Sequence, residues 1–207
     1  MLPVLLAAAS ELSTPSLTVA ARAGYESLSA KYFGPYTGGG TFVGLHPGIR
    51  LHPLFAVSAF YEHGFHSAGK RNPGGAASTD FFGVTARLLA MGRPHTTSMH
   101  LEVAFGRRRF GYDFSRDDPS SDPFQPAPTN PQERATLWGS EGRVAFGLGI
   151  GTWARPLAID LLLAFGGGRF DRYSDTLGCA TFRFGACGAG KDFGYVTTTF
   201  AVGLRWN

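Results

Sequence analysis

Eight segments of this chain alternate apolar and polar side chains, and the connections between them are alternately short and long. The segments span 17–26, 41–51, 54–64, 80–91, 98–109, 137–152, 157–168 and 193–206. His52-Pro53, Gly92 to Thr97 and Trp153 to Pro156 form the short connections, whereas 27–40, 65–79, 110–136 and 169–192 form the long ones. Alternation with period two places successive side chains on opposite faces of a strand. Antiparallel neighbours can be joined by tight turns, so the pattern predicts an up-and-down sheet of eight strands. A weak internal repeat agrees: Pro53, Pro94 and Pro156 each precede an alternating strand that ends in Phe60, Phe105 and Phe165. Such repeats fit hairpins better than helical units.

The chain contains no run of about 18 apolar residues, so a transmembrane helix is excluded. A closed β-barrel is the other way to cross a bilayer with every backbone group paired. Composition supports it. Among 207 residues there are 29 Gly and 18 Phe, small residues for close approach and aromatics for sheets and membrane boundaries.

The last strand shows the two faces most clearly. Val196, Phe200, Val202, Leu204 and Trp206 share one face, and Tyr195, Thr197, Thr199, Ala201, Gly203 and Arg205 share the other. Leu157, Ile159, Leu161, Leu163 and Phe165 likewise oppose Ala158, Asp160, Ala164 and Gly166. Val144, Phe146, Leu148 and Ile150 oppose Glu141, Arg143, Ala145, Gly147 and Gly149, and Met99, Leu101, Val103 and Phe105 oppose His100, Glu102, Ala104 and Gly106. Pro47 interrupts hydrogen bonding in the second strand and predicts a bulge. The third strand has two possible lipid faces, Leu54, Ala56 and Phe60 or Phe55, Val57 and Tyr61.

With these registers the interior collects Arg22, Arg50, Arg87, Arg143 and Arg205 against Glu26, Glu62, Glu102, Glu141 and Asp160, with His46 and His100 nearby. Buried charges are costly unless paired, so this set predicts an ion-pair network filling a narrow, non-conducting lumen. Tyr25, Tyr61 and Trp138 fall toward the long-connection end, and Trp153 and Trp206 toward the other, as interfacial girdles would.

Motifs that could carry chemistry are sparse. His63-Gly64-Phe65-His66-Ser67-Ala68-Gly69 faintly resembles the catalytic segment of outer-membrane lipid A deacylases. In that family the His and Ser are one residue apart and share a face, but here His66 and Ser67 are adjacent. His63 and His66 alone make a weak metal signal, and Asp113, Asp117, Asp118 and Asp122 lack calcium-loop spacing. No catalytic residue, metal or cofactor is therefore assigned. Arg107, Arg108 and Arg109 leave the membrane together and suit lipopolysaccharide phosphates; alternatively, alternate members point into the lumen. Cys179 and Cys187, the only cysteines, are expected to form a disulfide in the last long connection. The formal charge of +4 does not point to nucleic acid, because the basic residues are scattered and no such motif appears.

The apolar terminal strand ending in an aromatic, with the alternating connection lengths, resembles the small eight-stranded bacterial outer-membrane barrels typified by the OmpA transmembrane domain and the OmpX/Ail group. The departure is Asn207, one residue beyond the aromatic. The resemblance implies short periplasmic turns, four extracellular loops, lipid and lipopolysaccharide surroundings, and a non-enzymatic role in adhesion, partner-protein binding or envelope organisation. It also implies that Phe200, Val202, Leu204 and Trp206 form the signal read by the barrel-insertion machinery. Residues 1–10 read as a residual secretion signal, with cleavage near Ala9 to Glu11 and 11–207 as one barrel domain. Aromatics in the first and third long connections, Tyr32, Phe33, Tyr36, Phe110, Tyr112 and Phe114, are candidate contacts for a partner. The competing classes are a lipid A acyl hydrolase and a soluble lipocalin-like carrier with charged faces outward.

Overall fold

A computed structural model describes residues 15–30, 37–52, 54–68, 76–92, 97–113, 134–150, 157–175 and 193–206. Eight strands form the fold: β1 Ser16–Ala30, β2 Thr37–His52, β3 Phe55–Ala68, β4 Ala76–Gly92, β5 Thr97–Asp113, β6 Arg134–Ile150, β7 Leu157–Asp175 and β8 Phe193–Trp206. Each pairs antiparallel with its sequence neighbour, and β1 pairs with β8 from Val19↔Trp206 to Ala30↔Tyr195, closing the barrel. Closure leaves no unpaired edge, which is what a lipid-facing sheet requires.

The side chains sort as the alternation predicts. Leu157, Ile159, Leu163 and Phe165 are exposed on the outer wall of β7, while Ala158, Asp160, Leu162 and Ala164 are buried inside. The same holds for Val196, Phe200, Val202, Leu204 and Trp206 against Tyr195, Thr197, Thr199, Ala201 and Arg205 on β8. An apolar exterior around a charged interior is the inverse of a lipocalin, so the soluble-carrier expectation fails.

Two details differ from the expectations, and the third strand takes one of its two possible faces. The strands reach further toward the long connections; β7 runs 19 residues, to Asp175 rather than 168. A tilted strand needs only about 9–11 residues to cross the hydrocarbon. The extra turns of sheet there lack the apolar alternation that marks lipid contact, which is why the pattern misses them. Pro47 causes no bulge: it stays in register opposite Val19, and the β2–β3 register is the same on both sides of it. The irregularities of that ladder lie at Thr37/Gly40 and Arg50/His52 instead. On β3, Phe60 and Ala56 point inward, whereas Tyr61 and Phe65 are exposed.

Candidate functional site

The interior is layered. Toward the long-connection end, two arginines serve three carboxylates. Arg108 donates to both oxygens of Glu26 at 2.7 and 2.8 Å and also bridges Glu141 through Nε and Nη2. Arg143 donates to Glu62 at 2.8 Å, Glu26 at 3.1 Å and Glu141 at 3.2 Å. The Thr197 hydroxyl donates to Glu141, and His66 Nε2 lies 3.5 Å from Glu26. Gly166 makes room for this arrangement, because a Cβ there would lie 2.5 Å from Thr197 Oγ1 and 3.1 Å from Glu141 Oε1. Both guanidiniums stand over the Phe81 ring, 4.9 and 4.6 Å from its centroid, which adds a cation–π attraction in a buried setting.

Toward the short-turn end the balance reverses. Arg22 clamps Glu102 with two bonds of 2.6 Å, the bidentate geometry that suits a guanidinium to a carboxylate. Arg87 links Glu102, at 3.1 Å, to Asp160, at 2.8 Å, and Arg205 reaches Asp160 at 3.3 Å. Arg50, also on the inner face, is half-buried near the mouth. His100 lies over Gly147, where a Cβ would stand 2.0 Å from its Nε2.

Between the clusters is an apolar waist. Phe42 of β2 packs with Ala145, Leu162, Ala164 and Ala201 of β6 to β8, and Phe60 and Phe81 of β3 and β4 pack with Ala104 of β5. Large side chains on one wall facing small ones on the other fill a barrel too narrow for two bulky layers. Above the loop-end cluster sits a second apolar layer of Leu28, Phe110, Leu137, Phe170 and Tyr195, all buried. Phe170 stacks on Tyr195 at 4.4 Å and packs against Phe110 at 6.4 Å. This layer closes the lumen beneath the long connections.

Every charged residue expected in the lumen faces it: Arg22, Glu26, Glu62, Arg87, Glu102, Glu141, Arg143, Asp160 and Arg205 are buried, and Arg50 is partly so. Arg108 joins them, so among the described residues the six inward arginines outnumber the five inward carboxylates rather than equalling them. Of the three consecutive arginines, Arg108 is not a lipopolysaccharide contact but the largest fully buried side chain among the described residues, 1% exposed. The signal was available, since His100, Glu102, Ala104 and Gly106 set the inward parity that Arg108 continues. Phe110 has the same parity and is lumen filling rather than a loop contact.

Arg107 and Arg109 do point outward, just beyond the ring of exposed aromatics formed by Tyr25, Tyr61, Phe82, Phe105, Phe165 and Phe200. Both have acidic partners. Arg107 makes two bonds to Asp171, at 2.7 and 2.9 Å, and one to Ser140 at 2.9 Å. Asp80 collects Arg109 at 3.2 Å, the Tyr61 hydroxyl at 2.7 Å and His63 Nδ1 at 2.7 Å. Trp138 packs edge-on against Phe82, and Trp206 is exposed at the opposite rim.

The His/Ser segment does not assemble a catalytic site. His66 faces the lumen, its ring buried, while Ser67 faces outward and donates to the Gly39 carbonyl. The outward neighbour two residues beyond His63 is Phe65, which packs its ring edge-on against the imidazole. His63 and His66 lie on opposite faces, and among the described residues no group of three metal-ligating side chains forms. Cys179, Cys187, Trp153, Tyr32, Phe33, Tyr36, Phe114 and residues 1–10 lie outside the described residues.

No protein-family model matches the chain, and no curated protein matches its sequence. Among solved structures it is similar to Neisserial surface protein A (NspA), with a TM-score of 0.56 and 13% identity over 94% of this chain and 99% of that one. It is also similar to the N-terminal β-barrel domain of Pseudomonas aeruginosa OprF, with a TM-score of 0.44 and 10% identity over 93% of this chain and 100% of that one. A third match is Ail, the attachment invasion locus protein of Yersinia pestis, with a TM-score of 0.44 and 12% identity over 91% and 98%. At these identities the likeness is one of fold, a small eight-stranded barrel of the outer-membrane type.

Proposed function

We propose that this chain is an integral protein of the bacterial outer membrane that works without catalysis, its long connections outside the cell and its barrel an anchor for them. The observation that carries this reading is the filled lumen. Two ion-pair clusters, an apolar waist and an aromatic layer occupy the interior in succession, so a solute has no ready route through it. What is left to interact is the outer wall and the four long connections, which bind a surface or a partner protein or organise the envelope. A disulfide between Cys179 and Cys187 would stiffen the last of these. The strand that carries Phe200, Val202, Leu204 and Trp206 serves as the signal for barrel insertion. On the outer wall, Arg107 and Arg109 meet lipopolysaccharide phosphates; their acidic partners hold the guanidiniums in place but also temper the attraction.

The test compares cells producing the full chain with cells in which 114–133 is replaced by a short Gly-Ser turn. Adherence is measured to surfaces coated with a panel of matrix and serum proteins. Loss of adherence is expected while the barrel still migrates heat-modifiably in the outer-membrane fraction. Equal adherence to every coating by both strains, and by a strain lacking the protein, would overturn the adhesive reading.

A further inference from the structure

The waist contains a cavity of about 20 Å³, lined by its phenylalanines and alanines, by the ion-paired Glu62, Glu102 and Arg143, and by three further polar side chains, Arg22, His46 and Thr199. These three polar side chains are all more than nine-tenths buried. Arg22 Nε, both ring nitrogens of His46 and Thr199 Oγ1 make no hydrogen bond within the chain. His46 Nε2 does lie 3.3 Å from Glu62 Oε1, close enough for attraction but not aligned as a hydrogen bond. Leaving several polar atoms unpartnered in one enclosed space is expensive, and an empty cavity is normally an apolar one.

We propose that this cavity is a binding site for one ordered water molecule, and that the water joins the two ion-pair clusters into a single polar network. A space of roughly 10–15 Å³ or more holds a water when two to four polar groups can bond it. The donors and acceptors match. Water accepts from Arg22 Nε–H, which has no acceptor of its own, and donates to Thr199 Oγ1 and to the unprotonated nitrogen of His46. Arg22 belongs to the short-turn cluster through Glu102, whereas His46 stands beside Glu62 of the loop-end cluster. The imidazole, stacked on Phe60 with ring centres 5.5 Å apart, is held at the boundary between them. The alanines of β5 to β8 then have a purpose beyond fitting the phenylalanines: they leave the volume the water needs.

The full chain, refolded in detergent, is crystallised and also studied by NMR in micelles. The expected result is a density peak within hydrogen-bond distance of Arg22 Nε and Thr199 Oγ1, with a long-lived water cross-peak to the methyl of Ala164, which also lines the cavity. The cross-peak should persist in Thr199→Ser, which keeps the hydroxyl, and vanish in Ala201→Val, whose added methyls occupy the cavity. An empty cavity, or Arg22 and His46 turned to pair with other groups of the chain, would sink the proposal. A cross-peak that survives unchanged in Ala201→Val would equally overturn it, because the water would lie elsewhere.

Discussion

The two ends of the lumen handle buried charge in opposite ways. At the loop end, Arg108 and Arg143 are shared among Glu26, Glu62 and Glu141 beneath a buried aromatic layer. At the short-turn end, among the described residues, Arg22, Arg87, Arg205 and the half-buried Arg50 accompany Glu102 and Asp160. A carboxylate in the loop-end cluster has few substitute cations if an arginine is lost. One in the short-turn cluster has neighbouring cations and lies nearer the mouth. The clusters therefore differ less in the number of bonds than in redundancy, and removing one arginine from each should expose that difference.

The largest effect is expected from Arg108→Met. The substitution conserves much of the side-chain volume but removes the four bonds from Arg108 to Glu26 and Glu141. Among the described residues it leaves Arg143 as the one arginine bonded to three buried carboxylates; breaking a buried pair from one side costs about 3–5 kcal/mol. Urea unfolding of the barrel in micelles should show a strongly lowered midpoint, and folding yield should fall. Replacing Glu141 by Gln at the same time should restore part of the loss, because fewer unpaired charges remain. A midpoint within error of the wild type would mean that water reaches this cluster and that the aromatic layer does not seal it.

Why the sequence left Arg108 between lumen and lipopolysaccharide, while it placed the other inward charges, has a physical reason. Parity along a strand is legible wherever apolar residues mark the lipid side, as Met99, Leu101, Val103 and Phe105 do on β5. Past Phe105 the strand leaves the hydrocarbon, and the outward positions become Arg107 and Arg109. Charge then lies on both faces and period two no longer separates them. The same loss of contrast hides the ends of β7 and the inward turn of Phe110 and Phe170. Phe60 is hidden differently, because a phenylalanine fits either the waist or the lipid. Pairwise geometry lies beyond sequence altogether: nothing in the spacing of 82 residues between Glu26 and Arg108 says that they touch.

At the short-turn end, Arg205→Met sharpens the comparison. Asp160 keeps Arg87 at 2.8 Å, so it is not left unpaired. A loss of about 1 kcal/mol, that of an ordinary hydrogen bond, is expected in the same urea titration. A cost as large as that of Arg108→Met would show that the apparent excess of arginine is not redundancy, and that each cation here is matched by a partner of its own.

The smallest effect belongs to the pair on the outer wall. Asp171 lies beyond the residues of β7 that span the hydrocarbon, and the hydrogen bonds from Arg107 hold its carboxyl below the ordinary value. A carboxyl depressed in the folded state adds stability above its unfolded pKa, near 4, and that contribution fades only as acid protonates the folded form. Between pH 8 and pH 5 the pair should therefore contribute a constant amount. The amount is small, because both side chains are more than one-third exposed and solvent screens them. Asp171→Asn should leave the urea midpoint nearly unchanged over that range. It should also free Arg107 from its carboxylate and so strengthen retention on lipopolysaccharide vesicles, whereas Arg107→Ala weakens it. If Asp171→Asn instead weakens retention, the carboxylate aims the guanidinium at the phosphate more than it competes with it. The outer wall would then resemble the lumen, with charge held by geometry rather than by net sign.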